Sequence, residues 1–313
     1  MTSLISSPFN PTSPQALSIA NLFYVTLIIS AFIFVIVAGS ITYIVFRYRS
    51  RPGGDEPKQV FGERKLEITW TVVPLLIVTF LFGYTVYVMH TADPSPDPYQ
   101  QPDILVTGHQ WWWEIYYPKS SIVTANEIHM PVGKRFLIQL ESSDVIHDFW
   151  VPQLARKMDM TPGHPTHIWL EADAAGTYLG TCSEYCGAQH AWMRIRVIVQ
   201  TQADFDAWQQ KQIQAPQPPT TGEALQGAQV FRRLTCVNCH TIAGTEANAR
   251  VGPNLTHVAS RQTLGAGILE NTASNLARFL SNPHSVKPGI LMPNTKLSDS
   301  EVNALVAYLE GLK

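Results

Sequence analysis

A chain of 313 residues is long enough for about two domains. Hydrophobic residues make up 45% and charged residues only 15%, which is lean for a purely water-soluble protein. The formal net charge of -2 offers no electrostatic footprint for nucleic acid. The charge is unevenly placed: no Lys, Arg, Asp or Glu precedes Arg47, whereas the sequence beyond Asp93 is polar and apolar in ordinary proportion.

The first predicted elements are two apolar helices, at about residues 16–47 and 67–90, within an N-terminal segment of residues 1–92. Each uncharged stretch meets the ~20 residues needed to cross a bilayer. A secretory signal peptide does not fit the first, because no basic segment precedes it and it exceeds the usual apolar core. The loop between the helices carries Arg47, Arg49, Arg51, Lys58, Arg64 and Lys65, and no Lys or Arg follows until Lys119. The positive-inside rule puts that loop in the cytoplasm and both termini on the outer side of the membrane. Glu67, three residues before Trp70, reads equally as an interfacial carboxylate favoured by a helix N-terminus or as part of a proton pathway.

Asp93 to Pro98 contains three prolines and ends the helical pattern. Residues 93–213 then read as short strands: Phe136, Ile138 and Leu140 alternate with polar neighbours, as do Ile195 and Val197. In the first of these runs Leu137 is also apolar, so the alternation is cleanest from Ile138 onward, and turn signals at Pro131–Gly133 and Thr161–Gly163 separate such runs. The pattern predicts a Greek-key sandwich or barrel, closed by a short helix with Phe205 and Trp208 on one face. Residues 214–221 form a Pro-rich, semi-rigid linker, and residues 222–313 read as a separate domain.

The chemistry concentrates in two clusters. Cys182, Cys186, His190 and Met193 place two thiols, an imidazole and a thioether in twelve residues. Thiolate and thioether select copper in its lower oxidation state, and two thiols so close can bridge a pair of ions. A zinc site would leave Met193 without a role, and a disulfide would leave His190 without one. The second cluster, Cys236, Cys239 and His240, has the C-x-x-C-H spacing of c-type haem attachment; a zinc pair is the bland alternative. All four cysteines are thereby committed to cofactors, which implies delivery of reduced thiols by assembly factors.

The first cluster resembles the dinuclear copper (CuA) loop of the cytochrome c oxidase subunit II family. That resemblance implies a cupredoxin-like domain in which His147 and the Glu184 carbonyl complete the copper ligands. It also implies that Trp111, in the run Trp111–Trp113 after Gly108-His109-Gln110, is a surface residue through which electrons enter. An aromatic belt at the membrane surface is the structural alternative for that run. The resemblance gives Glu184 a further part in a magnesium site shared with subunit I, and puts Glu67 at the entrance of a proton channel. The segment around Asp159 resembles one at the interface with subunit I, with His164 where many members have arginine.

Residues 222–313 resemble a small all-α class I cytochrome c. The order is Gly227, Phe231, the haem motif, Gly252-Pro253, Met292-Pro293 and a helix from Ser298 to Leu312. Pro253 is then expected to orient His240 through its carbonyl. Met292 is expected as the second axial ligand, with His257 and His284 as surface or loop residues. The whole chain therefore resembles a bacterial oxidase subunit II with a fused cytochrome domain. Such a subunit takes electrons from an external donor, a cytochrome c or a donor complex. It works beside subunit I, which reduces oxygen, and subunit III. The rival functions are electron input to a copper-containing nitric oxide reductase and membrane copper delivery.

Overall fold

The computed structural model describes residues 7–49, 52–53 and 59–313, so Arg51 and Lys58 of the basic loop lie outside the described residues. The chain divides into two compact units, residues 17–95 and residues 1–16 with 96–313.

The first of these holds most of two long helices, α1 (Pro14–Arg47) and α2 (Arg64–Ala92). At 1.5 Å per residue they run roughly 50 and 43 Å, longer than the ~30 Å hydrocarbon layer. Their large apolar side chains, among them Ile28, Phe34, Leu76 and Phe82, are exposed. So much exposed apolar surface is stable against lipid and not against water. Hydroxyls along the helices bond back one turn, Thr26 to the Leu22 carbonyl at 2.9 Å and Thr71 to the Glu67 carbonyl at 2.8 Å, which satisfies them without solvent. The second helix begins at Arg64, three residues before the expected start, and this puts Glu67 in its first turn, exposed.

The other unit opens with a β sandwich. Its strands are β1 (Ile104–His109), β2 (Trp112–Tyr117), β3 (Ile122–Ala125), β4 (Glu127–Pro131) and β5 (Phe136–Ser142). They continue with β6 (His147–Trp150), β7 (Met158–Met160), β8 (Thr166–Leu170), β9 (Gly176–Cys182) and β10 (Arg194–Gln200). One sheet has the order β3-β2-β1-β5-β8 and the other β4-β10-β9-β6-β7. Both are mixed, since β1 pairs in parallel with β5 and β10 with β4. Inward residues such as Ile104, Ile115, Ile138, Phe149 and Val197 are fully buried between the sheets. A helix, α3 (Gln202–Gln212), follows; the Thr201 side chain caps it by accepting from the Asp204 N–H. Phe205 is buried in the sandwich core and Trp208 stacks on His129 with ring centres 4.2 Å apart. Ahead of α1, the Thr12 N–H donates to the Gln153 carbonyl at 2.9 Å and pins the N-terminal segment to the sandwich.

The C-terminal helices are α4 (Gly222–Arg233), α5 (Ala273–Ser281), α6 (Pro283–Val286) and α7 (Asp299–Glu310). The last is started by a reciprocal capping box between Ser298 and Glu301. Helices α4 and α7 cross closely, and a Cβ added to Gly227 would lie 1.9 Å from the Ala304 carbonyl oxygen. Phe231, Ile242, Leu276, Leu305 and Leu309 form the core around that crossing.

Candidate metal and haem sites

The copper ligands anticipated from sequence converge on one rim of the sandwich. His147 opens β6 and Cys182 ends β9; the two strands pair with Phe149 opposite Cys182. The loop from Ser183 to Met193 leaves β9 and returns into β10. It is closed at its base by the Cys182 N–H donating to the Met193 carbonyl at 2.9 Å. A 3-10 turn at His190–Trp192 directs His190 back toward the cysteines.

The two sulfurs are 3.7 Å apart, far beyond the ~2.05 Å of a disulfide, and both thiols are free and buried. Cys182 Sγ lies 3.9 Å from His147 Nδ1 and 3.2 Å from the Glu184 carbonyl oxygen. Cys186 Sγ lies 3.7 Å from His190 Nδ1 and 3.9 Å from Met193 Sδ. Each sulfur therefore has its own imidazole and one weaker donor, while the two sulfurs face each other. His147, Cys182 and Cys186 offer ligand atoms that all lie within 4.8 Å of one another.

Neighbours fix the orientation of these groups. Asp144 Oδ1 holds His147 Nε2 at 2.8 Å and leaves Nδ1 facing the sulfurs, the second contact that metal-binding imidazoles usually have. The two facing sulfurs share one proton: the neighbouring Cys186 is the main cause that holds Cys182 far below the usual thiol range, with His147 adding to it, while Cys182 and burial push Cys186 up. Thiolate character at neutral pH is what a soft metal needs. The Glu184 side chain is exposed while its carbonyl faces Cys182. Asp159 sits opposite Asp148 across β6 and β7, and burial followed by that carboxyl pushes Asp148 up to about 7.

Trp111, expected at the surface, is buried with its two neighbours: Trp111 and Trp112 are 8% exposed and Trp113 is fully covered. None of them forms a membrane-surface belt in this unit. Trp113 meets Phe149 edge-on in the core, and Trp112 stacks on His109. Trp111 instead turns toward the copper loop, where its indole N–H donates to the Cys186 carbonyl at 2.8 Å, as does the Gln110 side-chain amide. Strand alternation explains the division, since β2 begins only at Trp112 and leaves Trp111 in the connection.

At the second cluster, a single turn carries Cys236, Cys239 and His240, with the His240 N–H donating to the Cys236 carbonyl at 3.1 Å. Nδ1 of His240 lies 2.8 Å from the Pro253 carbonyl oxygen. A carbonyl only accepts, so Nδ1 carries the proton and Nε2 keeps the lone pair that an iron would take. A Cβ on Gly252 would come within 2.6 Å of the His240 ring, so the backbone and imidazole pack without a gap. Among the alternative axial ligands, His257 lies in a turn, as expected, but is buried, and its Nε2 bonds the Gln212 carbonyl at 3.0 Å. His284 is exposed and Met292 is half-buried between exposed Leu291 and Pro293. Donor identity, spacing and orientation fit a copper pair and a covalent haem.

Models of known families match three parts of the chain: cytochrome c oxidase subunit II, transmembrane domain, over residues 9–87; its periplasmic domain over residues 119–201; and cytochrome c over residues 224–313. Cytochrome c oxidase subunit 2 of Alkalihalophilus pseudofirmus is 38% identical over 310 residues, covering 97% of this chain and 90% of that protein. The chain belongs to the cytochrome c oxidase subunit II family. The Bacillus subtilis subunit 2 is 34% identical over 98% of this chain and 92% of its own length. A solved periplasmic domain of subunit II from Bradyrhizobium japonicum is 31% identical, covers 36% of this chain and 95% of that one, and has a TM-score of 0.35. This subunit II thus combines two apolar membrane helices, a cupredoxin-type β domain and a cytochrome c domain in one haem-copper oxidase component.

Proposed function

We propose that the chain accepts single electrons from an external donor at a covalent haem c, passes them to a dinuclear copper centre, and delivers them to subunit I. Oxygen reduction to water and proton translocation belong to that partner, with subunit III probed as a further neighbour by co-purification. The observation that carries this reading is the paired donor set, two imidazoles and two weak donors arranged around two facing sulfurs.

His147, Cys182, the Glu184 carbonyl, Cys186, His190 and Met193 would hold the copper pair. Cys236 and Cys239 would bind the haem covalently, with His240 and Met292 on its iron. Bound in these places, copper and haem supply one-electron redox chemistry. The chain's own part is to hold its donors still and dry. His147 and Met193 are fully buried, Cys182 is 3% exposed, and the donors sit on paired strands or a loop closed by backbone bonds. Donors that cannot shift keep the reorganisation accompanying a change of charge small. Trp111, bonded to the Cys186 carbonyl, is the entry side chain toward copper. The Pro253 carbonyl keeps the His240 ring in one tautomer and one orientation.

Glu67, exposed in the first turn of α2, serves the entrance of a proton channel in subunit I, and the exposed Glu184 carboxylate meets a magnesium ion shared with it. The basic loop sets the orientation in the bacterial inner membrane, with both termini outside. Purified chain loaded with copper and haem should contain two coppers and one covalent haem, and should absorb in the near infrared as a delocalised pair. One copper per chain with a mononuclear resonance spectrum overturns the reading.

A further inference from the structure

Two ionisable side chains that belong to neither ligand set are buried where the β domain meets the cytochrome domain. Glu127, on β4, is 1% exposed. Its carboxylate accepts from three donors of the cytochrome domain: the N–H of Gln262 at 3.0 Å, the N–H of Thr263 at 2.9 Å and the Thr263 hydroxyl at 2.9 Å. Lys287, at the end of α6, is 2% exposed and reaches the opposite way, its Nζ donating to the Trp111 carbonyl at 3.1 Å. Between them the Arg194 N–H donates to the Ala266 carbonyl at 3.1 Å, and Arg196 donates to Gln262 Oε1 at 3.0 Å. Beside Lys287, the Gln189 amide of the copper loop donates to the Pro288 carbonyl.

An encounter surface that opens and closes keeps its charges at a wet rim, where they steer approach and are screened. A dry carboxylate and a dry ammonium are different. Burying either is strongly disfavoured unless its bonds are made, so any other packed register that keeps these side chains dry leaves a charge unsatisfied. The bonds also reach the two ends of the electron path. Lys287 is seated on the residue that donates to the Cys186 carbonyl, and it stands five positions before Met292.

We propose that Glu127 and Lys287 form a two-point latch that holds the cytochrome domain on the copper loop in one register, so that haem-to-copper transfer needs no docking step. The transfer clause rests on the electron path above; the latch itself does not.

Hydrogen exchange on the purified full-length chain in its oxidase complex tests the latch directly. In Glu127→Ala the amides of Gln262 and Thr263 should exchange faster by about tenfold or more, as expected on loss of bonds to a charged acceptor. The segment around Leu305, in the cytochrome core, should stay protected. Glu127→Gln, which keeps an acceptor oxygen and the side-chain shape, should show a smaller change and covers the case in which the alanine variant does not assemble. Flash-induced transfer supplies the second readout. It should be independent of solvent viscosity in the parent, become viscosity-dependent in Lys287→Met, and recover in Lys287→Arg. Unchanged exchange at 262 and 263 in both Glu127 variants, or a parent rate that already slows with viscosity, overturns the latch. A native complex that proves on metal and haem analysis to carry neither cofactor in this chain, yet shows the exchange difference, supports the latch while sinking the electron-path reading.

Discussion

His129 is a buried imidazole outside both ligand sets. Its ring stacks on Trp208, its Nδ1 lies 3.0 Å from Gln200 Oε1, and its backbone exchanges two hydrogen bonds with the Tyr117 hydroxyl. Burial lowers it from 6.5 to about 4, the Gln200 bond opposing. Between those values the unfolded chain binds the proton and the folded chain does not. The neutral ring's contribution is therefore present in full above 6.5 and is lost as pH falls toward 4, a change of about 3 kcal/mol. The β domain should show this as a drop in unfolding midpoint from pH 7 to 4.5, read by near-ultraviolet dichroism, that shrinks in His129→Gln. Equal drops in the two proteins would remove His129 from the acid response. At this scale the sequence was a good guide to donors and a poor one to burial. Cys182, Cys186, His190 and Met193 announce themselves because their spacing is local. His147 needed the family resemblance because strand pairing brings it in, and the Glu184 carbonyl needed it because a backbone donor carries no signature in residue type. The resemblance put Trp111 at a surface, whereas it packs into the core of the β domain; His257 lies in a turn as expected but is buried there, bonded to the Gln212 carbonyl.

Among the elements, the crossing of α4 and α7 depends on one missing atom. A methyl group at Gly227 would overlap the Ala304 carbonyl, and helix backbone cannot move aside as a flexible side chain can. Gly227→Ala should destabilise the cytochrome domain by about 1–3 kcal/mol or more through overpacking. Thermal unfolding followed separately in the two domains should move only the cytochrome transition; a shift in the β transition alone would refute this. The longer elements were legible beforehand. β5 and β10 carry apolar residues at alternate positions, α3 carries helical spacing, α7 was placed by the resemblance, and α1 and α2 each contain a long uncharged stretch. β4 was not, because all five of its residues are buried and the two-residue period disappears. It is the strand that carries Glu127, which from sequence alone looks like any surface glutamate.

For the molecule as a whole, charge and tether bear on how electrons arrive. Residues 91–215 contain 8 basic and 14 acidic side chains, and residues 216–313 contain 8 basic and 6 acidic. That contrast favours contact between the two domains at low salt. A domain already joined by the linker, and held by buried groups that ions screen poorly, gains little from it. Stopped-flow reduction by an external donor should therefore depend on ionic strength more steeply than the following internal transfer. Equal salt slopes would mean that the internal step includes a solvent-exposed encounter. The domain order was readable from composition and motifs, but the joint was not. Its bonds run mainly to backbone N–H and carbonyl groups, which carry no signature in side-chain identity.

The seat of Lys287 on Trp111 also bears on who can deliver current to this oxidase. On the electron path proposed above, the chain's own domain occupies that approach through Lys287, so a small carrier diffusing in from outside has no short cut to the inner centre. Preference among carriers is then set on the outward face of residues 222–313, and changes there alone would suffice to exchange one supplier for another.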